Sequence, residues 1–294
     1  MLSTRAGTSR ASSRSEFQWF RTSIPTCACQ YNTGVADDTP QKLAANTPTE
    51  AASESKEGPE QRQERTKIFD RSKVCGQYCA FIDILGFGDA TQNDSPAVLA
   101  KYETLLERTD FLQALGPKVR FSVYSDSFVL VSHELAPVIA TAQSLQWFLL
   151  VEDCIVRGGI AYGDHAEGKK NGIRFIVSAG ISKAAAIEKT VKWPCVAIHP
   201  DIEIPDEFWV QETRPLLYFE GIRLVSPFTL YWFLSASLRV QKLAQQYPEH
   251  AAKYEWFLRL YEAAKVDPLV PAGVFERLRA KYPELIVSDG PGNS

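Results

Sequence analysis

A carboxylate stands inside an apolar run at residues 77–85 (QYCAFIDIL), and a glycine-bearing turn, Gly86-Phe87-Gly88, follows at once. A short apolar run ending in glycine predicts a buried β-strand. Burying an unpaired carboxylate is costly, so Asp83 needs a cation or strong donors close by. The turn after it can bring backbone N–H groups to phosphate oxygens. Taken alone, Asp83 reads equally well as a strand-end residue capping its own turn.

The segments that follow set the architecture. Residues 96–115 carry apolar side chains at helical spacing and stop at Gly116-Pro117. Residues 119–124 and 128–132 read as strands around a tight Ser-Asp-Ser, 135–151 as a helix, and 154–162 as a further strand. Residues 165–172 are polar and read as a hairpin tip or flap. Residues 178–189 predict an Ala-rich helix, and 195–199 and 216–220 predict strands. The order β-α-β-β-α-β is that of an α+β fold, a ferredoxin-like split βαβ antiparallel sheet with helices on one face. A helical extension follows. Ser226-Pro227 predicts an N-cap and first turn running to about Tyr247. Pro248 predicts a second helix to about Lys265, and residues 274–282 a third. The aromatics there, Tyr231, Trp232, Phe233, Trp256, Phe257 and Tyr261, read as packing on the sheet or on a second subunit.

Tyr124-Ser125-Asp126-Ser127 again sets a carboxylate among apolar strand residues, now at a bend. Alone it is good turn chemistry. In a split βαβ sheet, however, the first strand lies beside the hairpin of the next two. Two adjacent Asp residues there repel unless a cation sits between them. Oxygen ligands that leave metal positions to water and phosphate suit Mg²⁺ or Mn²⁺, and two such ions serve an in-line displacement at phosphorus.

Four segments together, FIDILGFG (81–88), YSDS (124–127), VRGGIAYG (156–163) and a helix reading Ile181-x-x-Ala184-x-x-Ile187-Glu188, resemble a class III nucleotidyl cyclase catalytic domain over about residues 75–220. Within that superfamily the chain is most similar to the pyrimidine cyclases of bacterial Pycsar anti-phage systems. The resemblance implies that Asp83 and Asp126 hold a pair of Mg²⁺ or Mn²⁺ ions, with the backbone carbonyl of Ile84 as a further ligand. It implies that Leu85, Gly86 and Phe87 touch the triphosphate. The substrate's own 3′-OH would attack its α-phosphate, giving a 3′,5′-cyclic nucleotide and pyrophosphate. Active sites would be shared across a head-to-tail homodimer in the bacterial cytoplasm, and the product would activate a separate effector.

The departures are informative. Purine-specific members carry a Lys where this chain has Ser122, and an Asn and an Arg where it has Ser182 and Ala186. Loss of the Lys argues against ATP and GTP and leaves UTP, or less favourably CTP, as substrate. Arg157, Lys169, Lys170 and Lys183 are then the candidates to meet phosphate charge. Arg157 reads also as a surface ion pair and Lys169-Lys170 as a solvated loop tip. Tyr124 is a candidate floor for a small base pocket or a packing residue. Phe81 is a candidate substrate contact, and Phe87 a candidate for base or ribose contact or for core. A degenerate cyclase fold that binds nucleotide and regulates without turnover is the alternative, motivated by the missing Arg at 186. Another two-metal palm enzyme ranks lower, with neither a paired Gly-Gly-acidic-acidic signature nor a basic groove.

Composition bounds the rest. The chain has 294 residues with 32 Lys and Arg against 35 Asp and Glu, a balance that disfavours nucleic acid or anionic membrane as partner. No apolar run approaches the ~18 residues of a membrane span. Residues 33–66 lack aromatics and hold only Val35 and Leu43 as large aliphatics, so residues 1–66 read as a disordered tail. The Arg- and Ser-rich first 22 residues read as part of that tail, a misassigned start, or a transit peptide. Residues 67–225 read as the catalytic domain and 226–294 as the helical extension. The six cysteines lack zinc spacing and read as reduced thiols, and the four histidines form no metal spacing.

Overall fold

The computed structural model describes residues 69, 73–88, 92, 95–107, 118–228 and 233–283. The expectations for residues 1–66, including Cys27 and Cys29, and for 108–117 and 229–232 lie outside them.

Strand β1 (Cys75–Ile84) is the centre of the fold. It pairs antiparallel with β3 (Ser127–Ser132) on one side and with β4 (Val156–Lys170) on the other. β2 (Arg120–Tyr124) pairs outside β3. The order β2-β3-β1-β4 is that of the split βαβ sheet. Beyond β4 the sheet continues through β6 (Val196–Ile198), β8 (Ile222–Val225) and β7 (Leu216–Phe219), while β5 (Ile173–Ser178) pairs with the far half of β4.

Side-chain alternation divides β1 between two faces. Ala80, Ile82 and Ile84 join Phe128 and Leu130 beneath the buried helix α2 (Leu135–Val151). Helix α1 (Ser95–Glu107) lays Tyr102 against the same cluster. Cys79 and Phe81 point the other way, with Val129, Val131 and Ile181. Over that second face lies α3 (Ala179–Thr190), capped by Ser178 Oγ, which accepts from the Ile181 N–H at 3.1 Å. Helices therefore cover both faces, not one. Glycines permit the second layer: a Cβ on Gly163 would come within 2.7 Å of the Gly180 nitrogen, and one on Gly159 within 2.7 Å of Ile187 Cβ and closer still to the Ala184 carbonyl.

Two further differences have local causes. The polar stretch 165–170 is strand, because Asn171-Gly172, both at positive φ (51° and 80°), closes a two-residue hairpin that pairs it with β5. Residues 226–228 are not helical: the Ser226 hydroxyl accepts from the Phe228 N–H at 3.2 Å, a local turn that competes with helix initiation.

A short helix, α4 (Asp206–Trp209), precedes β7. Then α5 (Phe233–Gln246), a 3₁₀ turn (Pro248–His250), α6 (Ala251–Val266) and α7 (Val274–Lys281) complete the fold. Trp256, Phe257, Leu260 and Tyr261 of α6 share a core with Leu217 and Leu224 of the sheet, the first of the two packings expected for these aromatics. Cys75, Cys79, Cys154 and Cys195 are free thiols, and burial pushes the Cys195 thiol up to about 12. No helix among the described residues is long and apolar enough to cross a membrane.

Gly159→Ala should destabilise the fold by about 1–3 kcal/mol, read as a lower urea midpoint at unchanged slope. An unchanged midpoint would show that α3 does not bear on β4 there.

Candidate active site

The register of β1 assembles the site. Asp83 faces Ser127 on β3 and Arg157 on β4 at the same time. The Ser127 hydroxyl donates to Asp83 Oδ1 at 3.3 Å, and Arg157 Nη2 stands 3.5 Å from Asp83 Oδ2. Only 18% of the Asp83 side chain is exposed. Burial, followed by the negative charge of Asp126, pushes its carboxyl above the ordinary carboxylate range despite Arg157.

Asp126 lies in the two-residue turn between β2 and β3, where Tyr124 pairs with Ser127. Ser125 there has φ +53°, a left-handed conformation that is uncommon for a non-glycine residue. Two contacts hold the turn. The Ile84 N–H donates to the Asp126 carbonyl at 3.1 Å, tying it to the end of β1, and the Tyr102 hydroxyl donates to the Ser125 carbonyl. Burial and the Asp126 charge raise the Tyr102 phenol. The Leu85 N–H donates to the Ile155 carbonyl at 2.9 Å, and Gly86 takes φ +77°, so the chain turns sharply after β1. Phe87 is half-buried, its ring 5.9 Å from that of Tyr102.

Arg157 has a second partner that sequence reasoning gave no role. Its Nε meets the Glu188 carboxylate on α3 as an ion pair, without hydrogen-bond alignment, and the Glu188 side chain is 5% exposed. The signal was present: Gly180, Ala184 and Glu188 form the buried stripe of α3 at i, i+4 and i+8. An acid on the buried stripe of an Ala-rich helix calls for a cationic partner. Two carboxylates, Asp83 and Glu188, therefore meet one guanidinium, with the charge of Asp126 acting on Asp83.

The other candidates fall in different places. Ser122 is half-buried on β2 and Tyr124 is half exposed at the mouth of the Asp126 turn. Phe81 packs with Cys79 and Ile181 under α3. Lys169 and Lys170 are exposed next to the β4–β5 turn. Lys183 is exposed and its ammonium donates to the Tyr162 carbonyl at 3.4 Å, five residues along β4 from Arg157. That is about 16 Å of strand, so within one chain Lys183 is not brought to Asp83. Ser182 and Ala186 also face outward on α3.

The donor set fits a hard divalent cation. Asp83 and Asp126 offer oxygen ligands, and among the described residues no cluster of three His, Cys, Asp or Glu forms a closed cage. Two carboxylates leave most positions of an octahedral ion to water or phosphate, the usual mode for Mg²⁺ and Mn²⁺.

No family model matches the chain, and neither does any curated protein. Solved structures with similar folds include the catalytic core of a rhodopsin–guanylyl cyclase with converted specificity in complex with ATPαS (TM-score 0.42, 16% identity, covering 53% of this chain and 98% of that one). The adenylyl cyclase CyaB from P. aeruginosa gives a TM-score of 0.40 at 11% identity, covering 54% and 97%. The guanylyl cyclase Cya2 gives 0.37 at 8%, covering 52% and 91%. The functional reading rests on the residues of the site itself.

The raised Asp83 carboxyl has a thermodynamic consequence. A carboxylate that binds its proton more tightly when folded makes stability fall as pH rises through its folded pKa. In EDTA, Asp83→Asn should melt higher than wild type at pH 7–8, and the gap should narrow as pH is lowered toward the ordinary carboxylate range. A variant that melts lower across that range would show the carboxylate to be stabilised, not strained.

Proposed function

We propose that the protein is a nucleotide cyclase. It converts a pyrimidine nucleoside triphosphate, UTP in preference to CTP, into the 3′,5′-cyclic nucleotide and pyrophosphate. The observation that carries the reading is the pair Asp83 and Asp126, on the end of β1 and the β2–β3 turn. The Ile84–Asp126 backbone bond joins them, and Asp126's charge raises Asp83. Adjacent carboxylates with one arginine beside Asp83 and an open glycine turn next to them suit the loading of cations and a polyphosphate.

A pair of Mg²⁺ or Mn²⁺ ions held by Asp83, Asp126 and the Ile84 carbonyl would supply Lewis-acid activation of the 3′-hydroxyl and neutralise the leaving pyrophosphate. The chain's own residues do the rest. Leu85, Gly86 and Phe87 present the turn to the triphosphate. Arg157, held from behind by Glu188, keeps a fixed guanidinium beside the developing charge, where a preorganised donor is most effective. Ser122, at the position where purine enzymes carry Lys, and the exposed Tyr124 bound the base. A uracil edge offers an acceptor where cytosine offers a donor, so one side chain in that region suffices for the choice.

Residues 67–225 form the catalytic domain in this reading, and residues 226–294 its helical extension. Lys183, Ser182 and Ala186 face outward from α3, which suits a head-to-tail homodimer whose sites are completed across the interface. The apolar side chains left exposed on β5, Ile173, Phe175 and Val177, are suitable cover for such an interface. The product would serve as a signal to a separate effector in anti-phage defence.

Purified protein incubated with each of ATP, GTP, CTP and UTP plus Mn²⁺ should yield cyclic UMP, or less of cyclic CMP, by mass-verified chromatography. Asp83→Ala and Asp126→Ala should lower the yield at least about a hundredfold. Full turnover by both variants would overturn the two-metal assignment. No product from any nucleotide would favour a cyclase-like regulator.

Sedimentation at micromolar concentration should give a dimer under the conditions of turnover. An active monomer would overturn the shared site.

A further inference from the structure

The glycine turn after β1 has a neighbour from the far end of the chain. The 3₁₀ turn Pro248–His250 joins α5 to α6. Its last residue, His250, is half-buried, with its backbone N–H bonded to the Tyr247 carbonyl at 3.0 Å and its ring 6.5 Å from that of Tyr254. The ring is directed at Gly86. Its Nε2 lies 3.7 Å from the position a Cβ would take there, and apart from the adjoining chain it is the one heavy atom within 4 Å of that position among the described residues. Leu85, one residue earlier, packs against the same core that Trp256, Phe257 and Leu260 of α6 build. The C-terminal helices thus support the turn from below through Leu85 and border it from the side through His250.

Gly86 lacks a side chain and has positive φ, so its backbone is open toward the imidazole. The ring makes no hydrogen bond among the described residues. An imidazole with N–H on Nε2 is a donor whether neutral or protonated, and an anionic oxygen seated on the turn would be its natural acceptor.

We infer that His250 donates its Nε2–H to a terminal phosphate oxygen of the bound nucleoside triphosphate, which makes the C-terminal helical extension one wall of the site. The inference rests on the reading of residues 85–87 as the phosphate turn. It involves no bond-making step. His250 is a binding residue, and its removal should act on substrate affinity more than on turnover.

The experiment uses the full chain with His250→Ala, His250→Leu and His250→Gln. Alanine and leucine both remove the donor, and leucine fills the volume of the ring. Glutamine can offer an amide N–H at similar reach. Melting curves identify folded variants. Two readouts are taken: KM and kcat for UTP with Mn²⁺, and calorimetric binding of inorganic tripolyphosphate with Mn²⁺. The folded donorless variants should raise KM and the tripolyphosphate Kd about tenfold, a change of about 1.4 kcal/mol, with kcat changed less, and glutamine should recover most of the loss. Unchanged KM and Kd in an active enzyme would overturn the role of His250 and leave the cyclase reading standing. A wild type that turns over no nucleotide but binds tripolyphosphate through His250 would do the reverse. A wild type that binds no tripolyphosphate would overturn the role of His250 whatever its turnover.

Discussion

Everything at the site depends on β1 being paired on both edges. A strand with one free edge could fix Asp83 against one neighbour only. Paired twice, it sets the carboxylate between Ser127 and Arg157 by backbone hydrogen bonds alone, before any side chain chooses a rotamer. The same pairing brings the end of β1 to the Asp126 turn and launches the glycine turn from a fixed direction. The two Asp residues sit where β1 ends and the backbone bends.

The electrostatics follow from that placement. Asp83 is partly desolvated and stands near Asp126 and Glu188, so negative charge is in excess and Arg157 is divided between two of the three acids. A fold selected only for stability would replace such a group with apolar residues. Keeping it is intelligible if the excess charge is compensated by what binds. Glu188 then has a separate use: it holds the guanidinium when Asp83 is engaged elsewhere.

Much of this was legible in the sequence because it was local. The apolar run to Ile84, the glycine turn and the Ser-Asp-Ser bend each announce themselves within a few residues, and the split βαβ order brings the two Asp residues together. What was not legible depends on contacts between distant segments. Glu188 and Tyr102 matter only once α3 lies on β4 and α1 reaches the β2–β3 turn. His250 is meaningful only because the α5–α6 junction folds back to Gly86, and no pattern in residues 226–266 encodes that destination. The placement of α3 on the second face was hidden for a similar reason. It turns on Gly163 meeting Gly180 and on Gly159 meeting Ala184 and Ile187 across the layer, and isolated glycines in a strand or helix read first as weak points. The strand at 165–170 and β5 were missed through one unread signal, Asn171-Gly172.

The alternation on β1 has a consequence for how the sheet finds its pairing. Ile82 and Ile84 face the α2 core while Asp83 faces the other way. If β1 slipped by one residue against its neighbours, every side chain would change faces. The isoleucines would leave their core and Asp83 would enter it with no arginine or hydroxyl to meet it, at a cost of several kcal/mol. The carboxylate therefore proofreads the sheet: a misregistered chain is penalised at the same atoms that the correct register sets between Ser127 and Arg157.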